Sequence, residues 1–244
     1  IYIHKPRIAH VLASNKFSGA ESVATTIINQ SRDVADSYYV SPKGSIVDAL
    51  SVRDIRHTPI DNLSMRELRR VVKEQSIDIV HAHDFRASIL ASFLHSHAKI
   101  ISHIHQNPSW LNSYNKWSIA YRLRVKYFSK IIVVSNAIKA NKTFKAIDPN
   151  KIETIYNTVD KEQIIKLAGN GVKERYDLIF CGRLEDVKQP LDFIDIISKI
   201  KGTDKTVEAV MVGDGSLRSN CEIRISDLGL HDNIDMVGFQ ENPY

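Results

Sequence analysis

The chain has 244 residues, of which 43% are hydrophobic and 25% charged, with two cysteines and a formal net charge of +5. Composition of this kind belongs to an ordinary globular protein; two cysteines exclude a disulfide framework, and no run reaches the roughly 18 apolar residues of a membrane-spanning helix. No signal peptide is read ahead of the first strand. The charge is uneven: residues 1–157 carry 22 Lys and Arg against 12 Asp and Glu, a surplus of +10, whereas the remainder carries −5. A basic first part and an acidic second part read either as an anionic partner met by the first alone or as simply solvated surface charge.

Short apolar runs alternate with helical patterns, the signature of βαβ units and a parallel sheet. Ile8–Ala13 reads as a strand, and Glu21–Gln30 as a helix with Val23, Ala24, Ile27 and Ile28 on one face. Ser64–Gln75 is a helix with Ser64 as cap and Glu67 completing a capping box. Strand Ile77–Val80, helix Phe85–His95, strand Lys99–Ile104, helix Tyr114–Ser129, strand Ile131–Val134 and helix Ala137–Phe144 follow. The rhythm changes at Asp148-Pro149-Asn150, and the half-polar Lys151–Tyr156 is assigned to a crossing between domains 1–157 and 158–244. It restarts with strand Asp177–Cys181, helix Pro190–Ile200, strand Val207–Val212, helix Ser216–Leu228 and strand Ile234–Val237. Cys181, inside an apolar run, is expected to be a buried reduced thiol. Three strands rarely complete a doubly wound domain, so the second domain is expected to be incomplete.

Ligands of open parallel sheets bind beyond the carboxyl ends of the strands, so the segments after each strand hold the candidate site. The first strand leads into Ser18-Gly19-Ala20-Glu21, where Gly19 permits close backbone approach and the following helix start suits a phosphate or carboxylate. Two later strands end in His81-Ala82-His83-Asp84 and His103-Ile104-His105-Gln106. Residues two apart share a strand face, so each pair can present two imidazoles together. With no carboxylate set to complete it, a metal site is not assigned; a single histidine acting on substrate is preferred, and His105 is the best placed. In the second domain a strand runs into Gly182-Arg183-Leu184-Glu185-Asp186-Val187-Lys188-Gln189-Pro190. Arg183 offers a planar fork and Lys188 a point charge, and two cations beside a helix start match a diphosphate. Gly213-Asp214-Gly215 is a second close-approach loop. Neither Gly-x-Gly-x-x-Gly nor Gly-Lys-Ser/Thr occurs, against a dinucleotide dehydrogenase and a P-loop ATPase.

The ordered set Ser18-Gly19-Ala20-Glu21, Ile79–His83, His105, Val133–Asn136, Tyr156–Asp160, Cys181–Leu184 with Lys188, Gly213–Gly215 and Val237–Phe239 resembles glycosyltransferase family 4. The resemblance implies the GT-B fold: two Rossmann-like, doubly wound parallel-sheet α/β domains facing a cleft, the second incomplete here. It implies a retaining transferase that moves a sugar from a UDP- or GDP-sugar donor to a glycan or lipid-linked glycan, as in cell-surface polysaccharide synthesis, with no required cofactor or metal. Ser18, Gly19, Glu21 and His83 would face the acceptor, with Gly19 also facing the donor phosphate. His105 would sit beside the transferred sugar. Arg183 and Lys188 would hold the diphosphate and offset its charge as it leaves. Gly213 would lie against the donor and Gly238 near the nucleobase. Thr158 stands where the family has Gly, and Ser18 where it has the first of a Gly pair. The family's glutamate-rich donor motif falls beyond Tyr244, and Glu241 does not replace it, so these residues alone are expected to turn over little.

Trp110, Trp117, Tyr121 and Phe128 near Arg122, Arg124, Lys126 and Lys130 read either as an interfacial helix, which would bring the basic domain of a cytoplasmic protein against the inner face of the plasma membrane, or as a core helix with a solvated basic face. Two other readings stand beside the transferase: a GT-B nucleotide-sugar epimerase, whose extra acid and base carboxylates are not located, and a basic non-catalytic binding module. No nucleic-acid motif occurs, and nucleic acid is not expected as a partner.

Overall fold

The computed structural model describes residues 5–145, 147–158, 161–169, 176–240 and 242–243. Two compact units result, Ile1–Thr158 and Val159–Tyr244. The first contains β1 (Arg7–Val11), α1 (Gly19–Gln30), β2 (Asp36–Pro42), α2 (Ile46–Val52), β3 (His57–Ile60), α3 (Met65–Glu74), β4 (Ile79–Ala82), α4 (Phe85–Ala91), β5 (Lys99–Ile104), α5 (Lys116–Arg124), β6 (Lys130–Val133), α6 (Asn136–Lys139), α7 (Lys142–Lys145) and β7 (Ile152–Thr154). Its seven strands are all parallel in the order β3-β2-β1-β4-β5-β6-β7. The order reverses between β1 and β4, the switch point at which such sheets bind ligands.

Alternation along the strands sends their side chains to two different layers. Ala9, Val11, Val80, Ala82, Ile100 and Ile104 join the larger core with Leu68, Val71, Tyr121 and Phe144. The other layer holds a smaller cluster of Leu12, Ala24, Ile28, Tyr39, Ile46, Leu50 and Ile55, packed by α1 and α2.

Several elements differ from expectation for physical reasons. β2 and β3 were not foreseen; DSYYVSP and HTPI each mix apolar residues with polar ones and a proline. Pro59 is tolerated because β3 is the edge of the sheet, where a missing N–H costs no ladder bond. The run assigned to the domain crossing is β7, paired with β6 through Ile131↔Ile152. Ser64 does cap α3, accepting from the Glu67 N–H, but the Glu67 carboxylate turns to Arg70 at 2.9 Å instead of back to the cap. The long helix at 85–95 ends at Ala91 in a single 3₁₀ turn, and 137–144 divides into α6 and α7. The expected interfacial helix is corrected most. α5 is capped by Asn115 and spans only Lys116–Arg124. Tyr121 and Phe128 belong to the core, with the Tyr121 hydroxyl 2.7 Å from Ser102 Oγ.

The second unit contains α8 (Lys161–Ala168), β8 (Leu178–Cys181), α9 (Pro190–Lys201), β9 (Ala209–Val212), α10 (Arg218–Asp227) and β10 (Ile234–Gly238). The strands are parallel in the order β10-β9-β8. Leu184, Ile194, Ile197, Ala209, Met211, Cys221 and Ile225 form its core. Cys181 is exposed, contrary to the buried thiol expected, because β8 is an edge strand whose alternate residues Ile179 and Cys181 are uncovered. Cys221 is the buried cysteine.

Candidate functional site

In the first unit the site lies at the carboxyl ends of β1, β4 and β5. The paired histidines meet there as the two-residue spacing requires, together with a fifth ring that sequence reasoning missed. His10, on β1, pairs in register with His81 on β4. Hidden in the apolar run 8–13, it gave one signal only: it shares the alternation of Leu12 and not that of Ala9 and Val11. His10 Nδ1 is 3.0 Å from His83 Nε2, and His83 Nδ1 is 3.0 Å from His105 Nε2. His81 Nε2 is 3.1 Å from His103 Nδ1. The His81 and His83 rings stack with centroids 4.3 Å apart, and those of His103 and His105 lie tilted at 4.0 Å. His10, His81, His83 and His103 are buried and His105 is half-buried. His83, expected to face the acceptor, is therefore enclosed between two other imidazoles.

Burial lowers the pKa of all five, because a charged imidazolium loses its hydration there. His10 falls to about 3 and His103 to about 2, each with a further contribution from a neighbouring ring. His105 falls to about 4 by burial, and His81 and His83 lie well below the ordinary value for the same first cause. At neutral pH the five rings are uncharged, and each carries one N–H and one lone pair.

The loop after β1 is built differently from expectation. Ser18 caps α1 without accepting a backbone bond; its hydroxyl donates to the buried Glu21 carboxylate. Burial, with the Glu21 charge added, pushes the Tyr39 hydroxyl up. Gly19 faces open space, so nothing packs where a Cβ would stand. Asp84 ties two strand ends together: its carboxylate accepts from the Ala13 N–H at 3.1 Å and caps α4 through the Ala87 N–H at 2.7 Å. Burial raises its pKa against those hydrogen bonds.

In the second unit, glycines let three strand ends close on one another. The Gly182 N–H donates to Val212 O at 2.9 Å, and the Gly213 N–H to Gly238 O at 2.8 Å. The Leu184 N–H reaches Asp214 O at 3.0 Å. Gly213 has φ +139°, and a Cβ there would lie 1.9 Å from Gly182 O. Arg183 and Lys188 are both exposed beside this seam, and among the described residues no hydrogen bond or ion pair engages either side chain. The Lys188 stem runs over Gly182. Ser216 holds Glu185 by a 2.9 Å hydroxyl bond; its hydroxyl and amide, with the Arg183 charge, keep that carboxyl below its usual range. Lys188 is followed by Gln189, left-handed at φ +52°, and by Pro190 at the first position of α9. That helix start has no side-chain cap, so its N–H groups face outward beside the two cations. Gly238, at φ +73°, neighbours Arg218, which is committed to Glu222 at 3.0 Å. Of the motifs singled out, Val159 and Asp160 at the crossing, and Glu241, lie outside the described residues.

A hollow of about 450 Å³ lined by Arg32, Asp36, Asp54 and Arg56 lies at the opposite, amino end of β2. Of its charged groups, Arg32 is paired with Asp54 at 2.9 Å.

These features define a doubly wound α/β protein whose polar groups gather at the carboxyl ends of parallel strands. Residues 21–163 match the family model of Glycosyltransferase Family 4, and residues 162–244 match that of Glycosyl transferases group 1. The chain belongs to glycosyltransferase family 4. Over 185 residues it is 29% identical to the capsular polysaccharide biosynthesis glycosyltransferase CapH of Staphylococcus aureus, covering 71% of this chain and 51% of that protein. It is 31% identical over 101 residues to an N-acetylgalactosamine-N,N'-diacetylbacillosaminyl-diphospho-undecaprenol 4-alpha-N-acetylgalactosaminyltransferase of Campylobacter jejuni, covering 41% of this chain and 27% of that one. HepE (Alr3699) of Anabaena, solved in complex with UDP, superposes with a TM-score of 0.77 at 19% identity, over 98% of this chain and 70% of that one. The fold is therefore GT-B. The chain spans about half the length of the curated relatives it matches over most of its own.

Proposed function

We propose that this chain is part of a nucleotide-sugar-dependent glycosyltransferase that acts on a glycan or lipid-linked glycan during cell-surface polysaccharide synthesis. The observation that carries the reading is the pair Arg183 and Lys188, two exposed cations without ion-pair partners among the described residues, on a glycine-packed strand end beside an uncapped helix start. A sugar nucleotide presents a diphosphate, and a fork plus a point charge with free backbone N–H groups matches it in charge and shape. As the glycosidic bond breaks, negative charge builds on the leaving diphosphate, and the same two cations offset it without help from a bound metal. Gly213 and Gly182 keep the backbone close to the ligand, and Gly238 lies toward the base. HepE was solved with UDP, which favours a uridine nucleotide. Retention of anomeric configuration follows the family resemblance. His105 remains the candidate beside the transferred sugar, with His83 behind it as a positioning residue. The Campylobacter relative's name specifies a diphospho-undecaprenol acceptor, and a lipid-linked glycan is the corresponding substrate here.

Calorimetric titration of the protein with UDP and with GDP tests this directly. Saturable UDP binding that is lost in Arg183→Ala is expected; binding of neither nucleotide to an active form of the protein overturns the donor-site reading.

A lipid-linked acceptor brings a membrane surface with it. Of the residues the sequence singled out, Trp117 and Arg124 suit this contact, and others join them. Tyr114, Trp117, Ile119 and Leu123 are exposed around α5. Lys116 lies over the Trp117 ring, and Arg124 is stacked 3.9 Å from Phe93. Aromatic and aliphatic groups among cations are the composition of an interfacial surface, with each cation near anionic lipid contributing about 1 kcal/mol. Co-sedimentation with vesicles containing phosphatidylglycerol is expected, and it should fall at least about tenfold in a Trp117→Ala, Leu123→Ala double variant. Equal sedimentation of both proteins removes the surface from consideration.

A further inference from the structure

Two buried nitrogens at the carboxyl edge of the first sheet, His10 Nε2 and His105 Nδ1, have no partner among the described residues. They are the two ends of one hydrogen-bonded chain. His10 Nδ1 meets His83 Nε2, and His83 Nδ1 meets His105 Nε2, both at 3.0 Å. Each link joins an Nδ1 to an Nε2, so the three rings are threaded head to tail.

The number of protons leaves two arrangements. Three uncharged rings hold three N–H groups, and each of the two links uses one. The third proton sits at one end of the chain, and the other end is a bare lone pair. Because every link pairs unlike nitrogens, the rings must share one tautomer. If all three carry the proton on Nε2, His10 ends the chain with an N–H. If all three carry it on Nδ1, His105 does. A mixture would place two protons, or none, in one of the links.

Burial decides between the two. His10 is enclosed at 0% exposure, whereas the ring of His105 is half-exposed just beyond β5, where ligands of such a sheet arrive. Unpaired N–H groups are rarer inside proteins than under-satisfied acceptors. At His10 an N–H would stay unpaired permanently; at His105 a ligand can pair it. The neighbouring rings obey the same rule. His103 Nδ1–H donating to His81 Nε2 at 3.1 Å leaves the orphaned His103 Nε2 as a lone pair and not as a donor.

We propose that His10, His83 and His105 are locked together with their protons on Nδ1, so that His105 meets the transferred sugar as an uncharged hydrogen-bond donor through Nδ1. His10 and His83 are then positioning residues, each fixing the tautomer of the next ring. The group that completes the chain is an oxygen acceptor, a sugar hydroxyl or ring oxygen. No metal is called for, since the lone pairs within the chain are already occupied by N–H groups. This rests on His105 standing beside the transferred sugar, and adds the polarity of that contact.

Long-range ¹H–¹⁵N correlation spectra of the histidine-labelled chain at neutral pH read the protonated nitrogen of each ring directly. Nδ1–H is expected for all three. An Nε2–H form at any of them overturns the proposal, whether or not the protein transfers sugar, and this measurement needs no variant to fold. His83→Phe removes the donor behind His105 and should leave that ring without a single tautomer. In an active form of the protein the same change should lower kcat about tenfold with UDP affinity unchanged. His83→Asn, whose amide N–H can take the place of the Nδ1–H, should keep both the tautomer and most of the rate. A His105 spectrum unaltered in His83→Phe overturns the positioning role. Parental kcat in His83→Phe, with the tautomer lost, overturns the donor contact to the sugar.

Discussion

An Arg183→Ala variant of an active form of the protein is expected to lose about 10²–10³-fold in turnover while unfolding at the same temperature as the parent. The kinetic part follows from where charge appears. The donor carries its diphosphate before and after transfer, but the bond to the sugar transfers additional negative charge to it as it breaks. A cation already held at that point lowers the barrier more than it lowers the ground state, so kcat falls as well as kcat/KM. The stability part follows from exposure: among the described residues Arg183 donates to no carboxylate and its side chain is surface-exposed, so its removal leaves nothing unpaired. Lys188→Ala should behave alike. Arg183→Lys, which keeps the charge and loses the fork, should recover part of the rate. Parental turnover in both alanine variants would remove the diphosphate assignment.

Gly213→Ala should do the opposite, costing stability before chemistry. At φ +139° an L side chain is strained wherever it points, and here its Cβ would meet Gly182 O at 1.9 Å, a backbone atom that no rotamer change moves aside. We expect a loss of at least about 3 kcal/mol, enough to unfold much of a marginal small unit. Gly19→Ala is the control. It lies at the start of α1 with nothing within 4 Å and no left-handed φ, so alanine there should stay within about 0.5 kcal/mol of the parent or improve on it. Circular dichroism melts of the two variants check both statements; equal melting temperatures would mean that the three strand ends are not closed as described.

How far the sequence revealed this protein depends on what each residue had to disclose. Parallel strands with buried faces are nearly uninterrupted apolar runs, so β1, β4, β5, β6, β8 and β9 were readable, and whatever followed them in the chain was by topology at the carboxyl edge. That is why Arg183, Lys188 and the Gly213 loop could be singled out. β2 and β3 escaped because their partners, not their composition, make them strands: Ser41 pairs with Pro59 in a ladder that no local pattern announces. His10 escaped because one polar residue in an apolar strand resembles an accident until its neighbours in register are known to be histidines as well. The basic aromatic segment was misjudged in its particulars because composition does not tell which aromatic turns inward. Tyr121 is held in the core by Ser102, whereas Trp117, singled out with it, is exposed, as is Tyr114, which was not.

Both tryptophans of the chain, Trp110 and Trp117, fall in the first of its two compact units. Light absorbed selectively by indole therefore reports on that unit alone, and the second is dark at those wavelengths. Emission from the first unit and amide circular dichroism from both are two clocks running on one molecule. Any interval between them during denaturation measures how independently the two units come apart.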